Sequence, residues 1–430
     1  MTAPRTLDDW LAHCERLHPK SMDFTLDRVR VVRDRLQLRF ECPVISVGGT
    51  NGKGSTCAMI ESIARHAGYP TALYMSPHLV HFEERCLIDG RMADAATLLP
   101  HFEAVEAVRG DITLTYFEFT TLTVLRAFVH ARPDVAILEV GLGGRLDAVN
   151  AFDADCAVVT GIALDHTEFL GPDRESIGRE KAGIFRAGRP AIFGARDMPA
   201  SIREWAQTVG SDLQQLGRDF DWVRSGAGWS WRGRAGEQRD LPAPALHGQI
   251  QFDNAAAVLA ALATLESRLR VPRSAIERAL QTVTLPGRFQ VVRQTTPRAI
   301  EWILDVAHNP AAAHTLAAQL AARETSGRTI AVCGVLADKD IDGIVGQVSR
   351  SFDSWVIVGL QGARALAPDA LAARARNLGV NVEAVAADVV AGCLAAEALA
   401  HAGDRIVVFG SFLTVGPALG WLYTSRPWSA

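Results

Sequence analysis

The segment V-I-S-V-G-G-T-N-G-K-G-S-T, residues 44–56, decides the fold that we predict for this chain. Its first four residues are typical of a buried strand, glycines follow, and helical periodicity resumes at Cys57. Such a loop directs backbone N–H groups and the positive end of a helix dipole toward one point, where a polyphosphate can bind. Lys53 supplies a cation for the phosphates, and the Ser55 hydroxyl is placed to bind Mg2+. The segment predicts a phosphate-binding loop, and the alternative is an ordinary glycine-rich turn.

The bulk composition is that of a folded protein with more than one domain. The chain has 430 residues, whereas single hydrophobic cores stop growing at about 250 to 300 residues. Hydrophobic residues make up 48% and charged residues 21%, which gives no sign of extended disorder. The net charge of -4 and the lack of a basic run argue against nucleic acid as a partner.

The cysteines and the N-terminus predict the compartment. Seven scattered cysteines without a C-x-x-C pair are typical of a reduced, cytoplasmic protein. The N-terminus lacks the apolar segment of a signal peptide, and no stretch approaches the roughly 18 apolar residues of a membrane span. We therefore expect a cytoplasmic protein without a membrane partner, and we expect a monomer.

Apolar strands alternate with helical segments along the first two thirds of the chain. Strands are predicted at 44–47, 71–78, 135–140 and 156–162, and helices over 7–36, 118–131 and 255–267. The Trp-rich segment 195–242 predicts a small antiparallel excursion, to which we assign no chemistry. This alternation predicts βαβ units and a mostly parallel sheet.

The pattern restarts after a polar, turn-rich segment, Q-T-T-P-R. Predicted strands at 300–305, 330–335, 355–360, 382–385 and 405–410 alternate with helices near 310–323, 340–351, 368–378 and 388–402. We therefore predict an α/β fold with two domains. We predict that residues 1–290 form a P-loop, phosphate-binding domain with a mostly parallel sheet and that residues 291–430 form a smaller Rossmann-like domain.

Polar residues follow four predicted strands of the first domain: the glycine loop, Ser76, Glu139, and Asp165 with His166. Ligands of parallel sheets bind beyond the carboxyl ends of the strands, so we expect these side chains on one rim. Glu139 is placed as a Mg2+ ligand. For His166 a structural histidine is the alternative, because Mg2+ prefers oxygen ligands. Asn254 is placed either as a helix cap or as a ligand contact.

Eight motifs resemble those of one family, in the same order. They are V-G-G-T-N-G-K-G-S, Y-M-S-P-H-L, L-T-Y-F-E, I-L-E-V-G-L-G-G-R-L-D-A, A-L-D-H-T-E-F-L-G, E-S-I-G-R-E-K-A-G-I, L-P-G-R-F-Q and D-V-A-H-N-P. The chain closely resembles the folylpolyglutamate synthases of the Mur ligase superfamily, and most closely their bacterial bifunctional form, over about residues 20–416. The resemblance implies a Mur-ligase-like first domain. It also implies ATP-driven addition of L-glutamate to dihydropteroate and to reduced folates through an acyl phosphate.

The resemblance also implies roles for individual residues. ATP contacts are implied at Asn51, Gly52, Lys53, Gly54, Ser55, Asn254, Arg288 and Asp305. Mg2+ ligands, for two ions, are implied at Ser55, Ser76, Glu139 and His166. Lys181 matches a lysine that the family carries as a carbamate, with a surface helix lysine as the alternative, and a monovalent cation is implied as well. Catalytic roles are implied for Lys53, Glu139, His166, Lys181 and His308.

For the organic substrates, the resemblance implies contacts at Met22, Asp23, Phe24, Thr115, Tyr116, Phe117, Glu118, Leu146, Asp147 and Ala148 with the pterin, and at His308 and Ser411 with glutamate. The aromatic rings would support the flat pterin, and Asp147 or Glu118 would accept its N–H groups. Ala337 and Leu413 depart from the family pattern, because many relatives have histidine there.

Three alternatives remain open from the sequence. The chain could carry folylpolyglutamate synthase activity alone. It could be another Mur-type amide ligase, such as one acting on peptidoglycan precursors. It could also be a P-loop switch that hydrolyses ATP to drive a partner, although the pterin motifs favour the ligase.

Overall fold

Two α/β units make up the part of the chain that this computed structural model describes, residues 6–20, 22–226, 228–294 and 298–425. The first unit contains an eight-stranded sheet and a small three-stranded sheet, and the second contains a six-stranded sheet. The predicted α/β class with a mostly parallel sheet is confirmed. All seven cysteines are free thiols, as the sequence predicts. None of the described helices combines the length and the apolar character that crossing a membrane requires.

The eight-stranded sheet carries the phosphate-loop segment on a central strand. Its strands are β1 (Val44–Gly48), β2 (Thr71–Tyr74), β3 (Cys86–Ile88), β4 (Arg91–Met92), β5 (Val135–Glu139), β6 (Cys156–Val159), β7 (Pro190–Phe193) and β8 (Asp212–Gln215). Their order is β4-β3-β2-β5-β1-β6-β7-β8; the pairs β2–β3 and β3–β4 are antiparallel, and the other five pairs are parallel. Every residue of β1, β5 and β6 is buried, as expected for parallel strands with both faces covered.

Helices cover both faces of this sheet. They are α1 (Leu7–Leu17), α2 (Asp27–Arg35), α3 (Lys53–His66), α4 (Ala95–Arg109), α5 (Tyr116–Ala131), α6 (Thr167–Leu170), α7 (Arg174–Ala182), α8 (Ala200–Val209), α9 (Ile250–Thr264) and α10 (Arg273–Thr282). One core contains Phe102 of α4 with Phe119 of α5, and the other contains Ile60 of α3 with Ala256 of α9. The rigid sheet therefore fixes where the strand ends lie.

Two predictions for this unit are corrected. Helix α9 begins at Ile250 rather than 255, so Asn254 lies inside the helix and its prediction as a cap is wrong. The true cap, Gln249, makes no side-chain capping bond, which explains why the sequence gives no start signal. The segment 195–242 holds α8 and β8 as well as the antiparallel sheet β9 (Asp221–Ser225), β10 (Gly228–Gly233) and β11 (Gly236–Pro242). Trp229 and Trp231 are buried in the core beneath α9, which is a structural role.

The second unit has a six-stranded sheet in the order β12-β13-β17-β14-β15-β16. Its strands are β12 (Gln290–Gln294), β13 (Ile300–Asp305), β14 (Thr329–Cys333), β15 (Ser354–Val358), β16 (Val382–Ala386) and β17 (Arg405–Phe409). Its helices are α11 (Pro310–Ala321), α12 (Ile341–Val348), α13 (Pro368–Asn377), α14 (Val389–Leu399) and α15 (Phe412–Ser425). The five predicted strands and four predicted helices are confirmed, whereas β12 and α15 were not predicted.

The predicted boundary segment Q-T-T-P-R begins with the last residue of β12, Gln294, and ends before β13, and three of its residues, 295–297, are outside the described residues. Because β12 pairs antiparallel with β13, the six-stranded sheet already begins at Gln290. The division between residues 290 and 291 stays a prediction.

Candidate active site

One cavity of about 720 Å³ lies beyond the carboxyl ends of the central strands, and both units line it. Every site residue predicted above, from Met22 to Ser411, lines this cavity. Residues that were not predicted line it as well, among them Arg85, Gln251 and Lys339. The side chains at the strand ends, which we expected on one rim of the sheet, therefore line one cavity in the structure.

The glycines of the phosphate loop allow close backbone approach. Gly49 has a φ of +139°, and a Cβ there would lie 1.9 Å from Thr160 Oγ1. Gly52 has a φ of +89° and precedes α3, which begins at Lys53, four residues earlier than predicted. Lys53 Nζ donates to the carbonyl oxygens of Gly49 at 3.1 Å and Thr50 at 3.2 Å. The loop therefore places its cation at the helix N-terminus, where an anion is favoured.

Lys181 lies beneath the same loop. It is buried, and its Nζ donates to the Gly49 carbonyl oxygen at 2.9 Å. Burial, together with the charge of Lys53, lowers the pKa of Lys181 to about 7. The amine is therefore partly neutral near neutral pH, and it is not the surface lysine of the alternative interpretation.

Oxygen donors that suit a divalent cation surround Glu139. Glu139 Oε2 accepts the Ser76 N–H at 3.0 Å, and a Cβ at Gly54 would lie 3.8 Å from Glu139 Oε1. Burial raises the pKa of Glu139, and Lys53 opposes this effect. The buried Ser76 hydroxyl has no hydrogen-bond partner among the described residues. No cluster of three His, Cys, Asp or Glu side chains in the described ranges could hold a metal ion, but hydroxyl and carboxylate oxygens fit Mg2+.

Asp165 collects three donors from the second unit. Lys339 Nζ lies 2.6 Å from Asp165 Oδ1, while His308 Nε2 at 3.4 Å and Asn309 Nδ2 at 3.1 Å approach Oδ2. Burial acts to raise the pKa of Asp165, but the hydrogen bond and charge of His308, with Lys339 and His166, hold it well below its usual range. The ionised carboxylate thus joins the two units at the cavity.

His166 belongs to this same group. Its backbone is left-handed, with a φ of +51°, and its N–H donates to Asp165 Oδ1 at 2.9 Å. Its Nε2 lies 3.3 Å from Lys339 Nζ. Burial lowers the pKa of His166 to about 4, so the imidazole is neutral near pH 7 and accepts from the ammonium group. The hydrogen bonds of His166 therefore connect it to Asp165 and Lys339, whereas those of Glu139 connect it to Ser76.

Asn254 contacts the phosphate loop from α9. A Cβ at Gly52 would lie 2.7 Å from Asn254 Oδ1, and Asn254 Nδ2 donates to Gln251 Oε1 at 2.9 Å. Gln251 Nε2 in turn lies 3.5 Å from Ser55 Oγ. These buried amides connect α9 to the loop, which agrees with the ligand-contact interpretation of Asn254.

Arg288 and Asp305 stand where the chain passes from the first unit to the second. Burial lowers the pKa of Arg288 and raises that of Asp305, and each charge opposes the shift of the other. Asp305 accepts the N–H groups of Phe289 and Ala307, both at 2.8 Å. The Arg288 guanidinium lies over the Phe412 ring, 5.2 Å from its centroid. Both predicted nucleotide contacts are thus held in place by the second unit.

The predicted pterin residues lie at the N-terminus of α5. Thr115 caps this helix through a reciprocal capping box with Glu118. Glu118 is also bound by Arg28 Nη2 at 2.9 Å, so its carboxylate is already engaged. Asp147 accepts the N–H groups of Leu142 at 2.9 Å and Val149 at 3.0 Å, and burial raises its pKa to about 6. Of the two carboxylates, Asp147 is the one without a cationic partner at hydrogen-bonding distance among the described residues.

Sequence reasoning missed the cavity residues Arg85, Gln251 and Lys339, and it missed Arg28 and Asn309 beside them. Asn309 belongs to the motif D-V-A-H-N-P quoted above, and Lys339 lies two residues after Ala337, but their roles depend on pairing across the units. One signal was available in the composition: only four of the 44 basic residues are lysines, and three of these line the cavity.

A phosphate loop on a parallel sheet, closed by a second α/β unit over a cavity of cations and oxygen ligands, defines an ATP-dependent ligase of the Mur type. Two family models agree, since the Mur ligase middle domain matches residues 47–219 and the Mur ligase glutamate ligase domain matches residues 287–412. The dihydrofolate synthase/folylpolyglutamate synthase of Escherichia coli (strain K12) is 45% identical over 414 residues, which cover 96% of this chain and 94% of that protein.

Solved structures agree over the full length. E. coli FolC in complex with DHPP and ADP matches with a TM-score of 0.92 and 43% identity, covering 99% of this chain and 100% of that chain. A bifunctional enzyme with Mn, AMPPNP and L-glutamate bound matches with a TM-score of 0.89 and 42% identity, covering 98% and 99%. The chain belongs to the dihydrofolate synthase/folylpolyglutamate synthase family. It is an ATP-dependent ligase that adds L-glutamate to dihydropteroate and to reduced folates.

Proposed function

We propose that the cavity lined by both units brings together ATP, the pteroyl substrate and glutamate for an acyl-phosphate reaction. The observation that carries this proposal is that the phosphate loop, the α5 N-terminus and the first residues after β13 line one cavity. The ADP and DHPP of E. coli FolC, and the Mn, AMPPNP and L-glutamate of the bifunctional relative, support the same set of ligands here.

In the proposed reaction, a carboxylate oxygen of the pteroyl substrate attacks the γ-phosphorus of ATP, and ADP leaves. The glutamate amino group then attacks the acyl carbon, the carbon–oxygen bond to phosphate breaks, and the amine loses a proton as phosphate leaves. Lys53 neutralises charge on the transferring phosphoryl group. A divalent ion at Ser55, Ser76 and Glu139 would polarise phosphoryl oxygens when bound. We retain His166 as a further metal ligand in this proposal.

We assign glutamate handling to His308 and Ser411 of the second unit. The His308 ring is held by Asp165, 3.4 Å from its Nε2, and Nδ1 lies 2.8 Å from the Val306 carbonyl oxygen. Ser411 is buried at the cavity wall. Both follow strands of the second unit, opposite the phosphate loop, so an amino acid held there would face the acyl phosphate. This proposal also keeps three predictions made from the sequence. They are a domain boundary between residues 290 and 291, a monomeric protein, and the binding of a monovalent cation.

We also propose that Lys181 is carbamylated. A carbamate forms from a neutral amine and carbon dioxide, and burial has lowered the pKa of this lysine to about 7. Carbamylation would replace a cation beneath the loop by an anion that helps hold a divalent ion. Incubation with isotope-labelled bicarbonate should give a carbamate NMR signal that Lys181→Met lacks. A signal of equal strength in that variant would assign the carbamate elsewhere.

The substitution Glu139→Gln tests the metal site. Loss of the charged ligand should raise the Mg2+ concentration for half-maximal turnover by about 10- to 100-fold. The measurement is a Mg2+ titration of ADP release with dihydropteroate, and with tetrahydrofolate, each supplied with ATP and glutamate. An unchanged titration would remove Glu139 from the metal site. Mass spectrometry of the two product mixtures then shows whether both amide products form.

A further inference from the structure

Arg85 is a buried cation of the cavity that the proposed reaction does not use. It ends a short 3-10 helix, Phe82–Arg85, is 7% exposed and lines the cavity. Within the described residues its side-chain contacts are with His78, Phe82 and Tyr116, and none of these is acidic. Burying a charge without a partner is costly, so a cavity arginine of this kind is a candidate for binding an anionic ligand.

Neighbouring side chains fix the orientation of the Arg85 guanidinium. Its Nε donates to His78 Nδ1 at 3.0 Å, and its Cζ lies 5.6 Å from the ring centroids of both Phe82 and Tyr116. Burial, with the charge of Arg85, lowers the pKa of His78 to about 4, so His78 is a neutral acceptor. The two terminal amino groups have no hydrogen-bond partner among the described residues. They form the edge that binds a carboxylate through two parallel hydrogen bonds.

The other cations of the cavity have partners or a different location. Lys339 pairs with Asp165, and Arg364 pairs with Asp338 at 2.7 Å. Lys53 belongs to the phosphate loop, where it donates to backbone carbonyl groups. Arg85 instead lies between Tyr116, at the pterin end, and His78, two residues after Ser76. Burial raises the pKa of Glu139, and the charge of Arg85 is among those that oppose this effect. Arg85 is therefore placed between a predicted pterin contact and the predicted metal site, where the acidic end of the pteroyl substrate would lie.

We propose that Arg85 binds the carboxylate of the terminal glutamate of a reduced folate that is not activated by ATP. This inference rests on the proposed function. Dihydropteroate has one carboxylate, which is consumed in the reaction. A reduced folate ends in glutamate with two carboxylates, and the second one stays ionised throughout. Arg85 therefore serves the reduced folates, and it determines which of their two carboxylates faces the phosphate loop.

The substitution Arg85→Met separates the two substrates. The KM for tetrahydrofolate should rise about 10- to 100-fold, the usual cost of losing a charged hydrogen-bonded pair. The KM for dihydropteroate should rise by a clearly smaller factor, because dihydropteroate lacks the second carboxylate, and the ratio of the two increases is the readout. Arg85→Lys keeps the charge but not the paired geometry, so it should recover part of the affinity. The matched control is Arg374→Met, which removes an exposed arginine paired with Asp342 and should alter neither KM.

A modified substrate tests the same contact in the unaltered enzyme. Tetrahydrofolate whose non-reacting carboxylate is a carboxamide should bind about 10- to 100-fold more weakly than the acid. Arg85→Met should bind acid and amide equally. Equal losses with both pteroyl substrates, or an unaltered enzyme that binds acid and amide alike, would overturn the proposal. Should Arg85→Met fail to fold, the acid–amide comparison in the unaltered enzyme decides.

Direct binding of tetrahydrofolate without ATP separates this inference from the proposed function. Weaker binding in Arg85→Met supports the carboxylate contact even where turnover is not measured. An unaltered enzyme that binds tetrahydrofolate but forms no amide would contradict the proposed function and leave the Arg85 contact standing.

Discussion

The cavity differs from the rest of the molecule in which basic residue supplies its positive charge. Lys53, Lys181 and Lys339 line the cavity, and arginine supplies nearly all other positive charge. An ammonium is a compact point charge whose pKa shifts readily on burial, whereas a guanidinium stays charged. Lys181 shows this property directly, since its pKa falls to about 7.

The raised pKa of Asp147 predicts a pH dependence of pterin binding. The ionised carboxylate, which would accept pterin N–H groups, predominates above about pH 6 and is lost below it. Pteroyl affinity should therefore fall as the pH drops through about 6, measured by titration of dihydropteroate fluorescence. Asp147→Asn should bind weakly at every pH. Retention of the pH dependence in that variant would assign it to another group.

The raised pKa of Asp147 also makes the free energy of unfolding depend on pH. The direction is opposite to that for a salt-bridged aspartate, whose pKa is lowered in the folded state. The folded-state pKa is raised from 3.8 to about 6, so between these values the folded protein holds a proton that the unfolded chain has released. The contribution of Asp147 to the free energy of unfolding therefore falls as the pH rises through this window. The ionised Asp147 side chain therefore destabilises the free enzyme, and bound pterin N–H donors would offset that cost.

At the scale of elements, helix α5 connects stability to substrate binding. Thr115→Ala removes the N-cap of α5 and should lower the free energy of unfolding by about 1 kcal/mol. The KM for both pteroyl substrates should rise, because Tyr116 and Phe117 form the first turn of this helix. Denaturant unfolding and steady-state kinetics measure the two effects.

Thr208→Ala is the matched control for this prediction, because Thr208 is exposed on α8 and bonds only within its own helix, to the Glu204 carbonyl. A variant Thr115→Ala that is destabilised but has unchanged KM values would contradict the link between the cap and the pterin.

Elements with strong local patterns could be predicted from the sequence, and those defined by distant partners could not. The apolar runs of β1, β5 and β13 and the glycine loop are local signals. Helix α9 starts without a capping side chain, so its first turn was missed. Helix α15, with Gly416 and Pro417 in its first half, lacks a clear helical composition.

The same limit applies to the site. Ser76 and Glu139 follow strands and could be found from that position alone. Arg28 could not, because its partner Glu118 is 90 residues away and the pair forms only in the folded chain. Arg85 gives no signal in the sequence, since what distinguishes it is that its side chain contacts His78, Phe82 and Tyr116 rather than a described carboxylate.

For the whole molecule, the contact between the units predicts the effect of Lys339→Met. This change removes the ammonium that joins Asp165 to the second unit and should lower kcat for amide formation by about 10-fold or more. ADP affinity should be largely retained, because the phosphate loop belongs to the other unit. Small-angle scattering with bound nucleotide should show a more open average shape than in the unaltered enzyme.

Arg374→Met again serves as the surface control, with the expectation of unchanged kinetics and shape. The prediction fails if Lys339→Met leaves both kcat and the scattering profile unaltered.

The chain passes from the first unit to the second through residues 283–289, and this passage carries Arg288 into the cavity. Gly287, with a φ of +68°, packs beside Val306, and its carbonyl oxygen accepts the Val306 N–H at 2.9 Å. Any swing of one unit against the other must pivot on the segment that carries Arg288, a predicted nucleotide contact. Opening would therefore displace the predicted Arg288 contact while the phosphate loop stays with the first unit, and halves of the protein produced as separate polypeptides would each carry an incomplete catalytic centre.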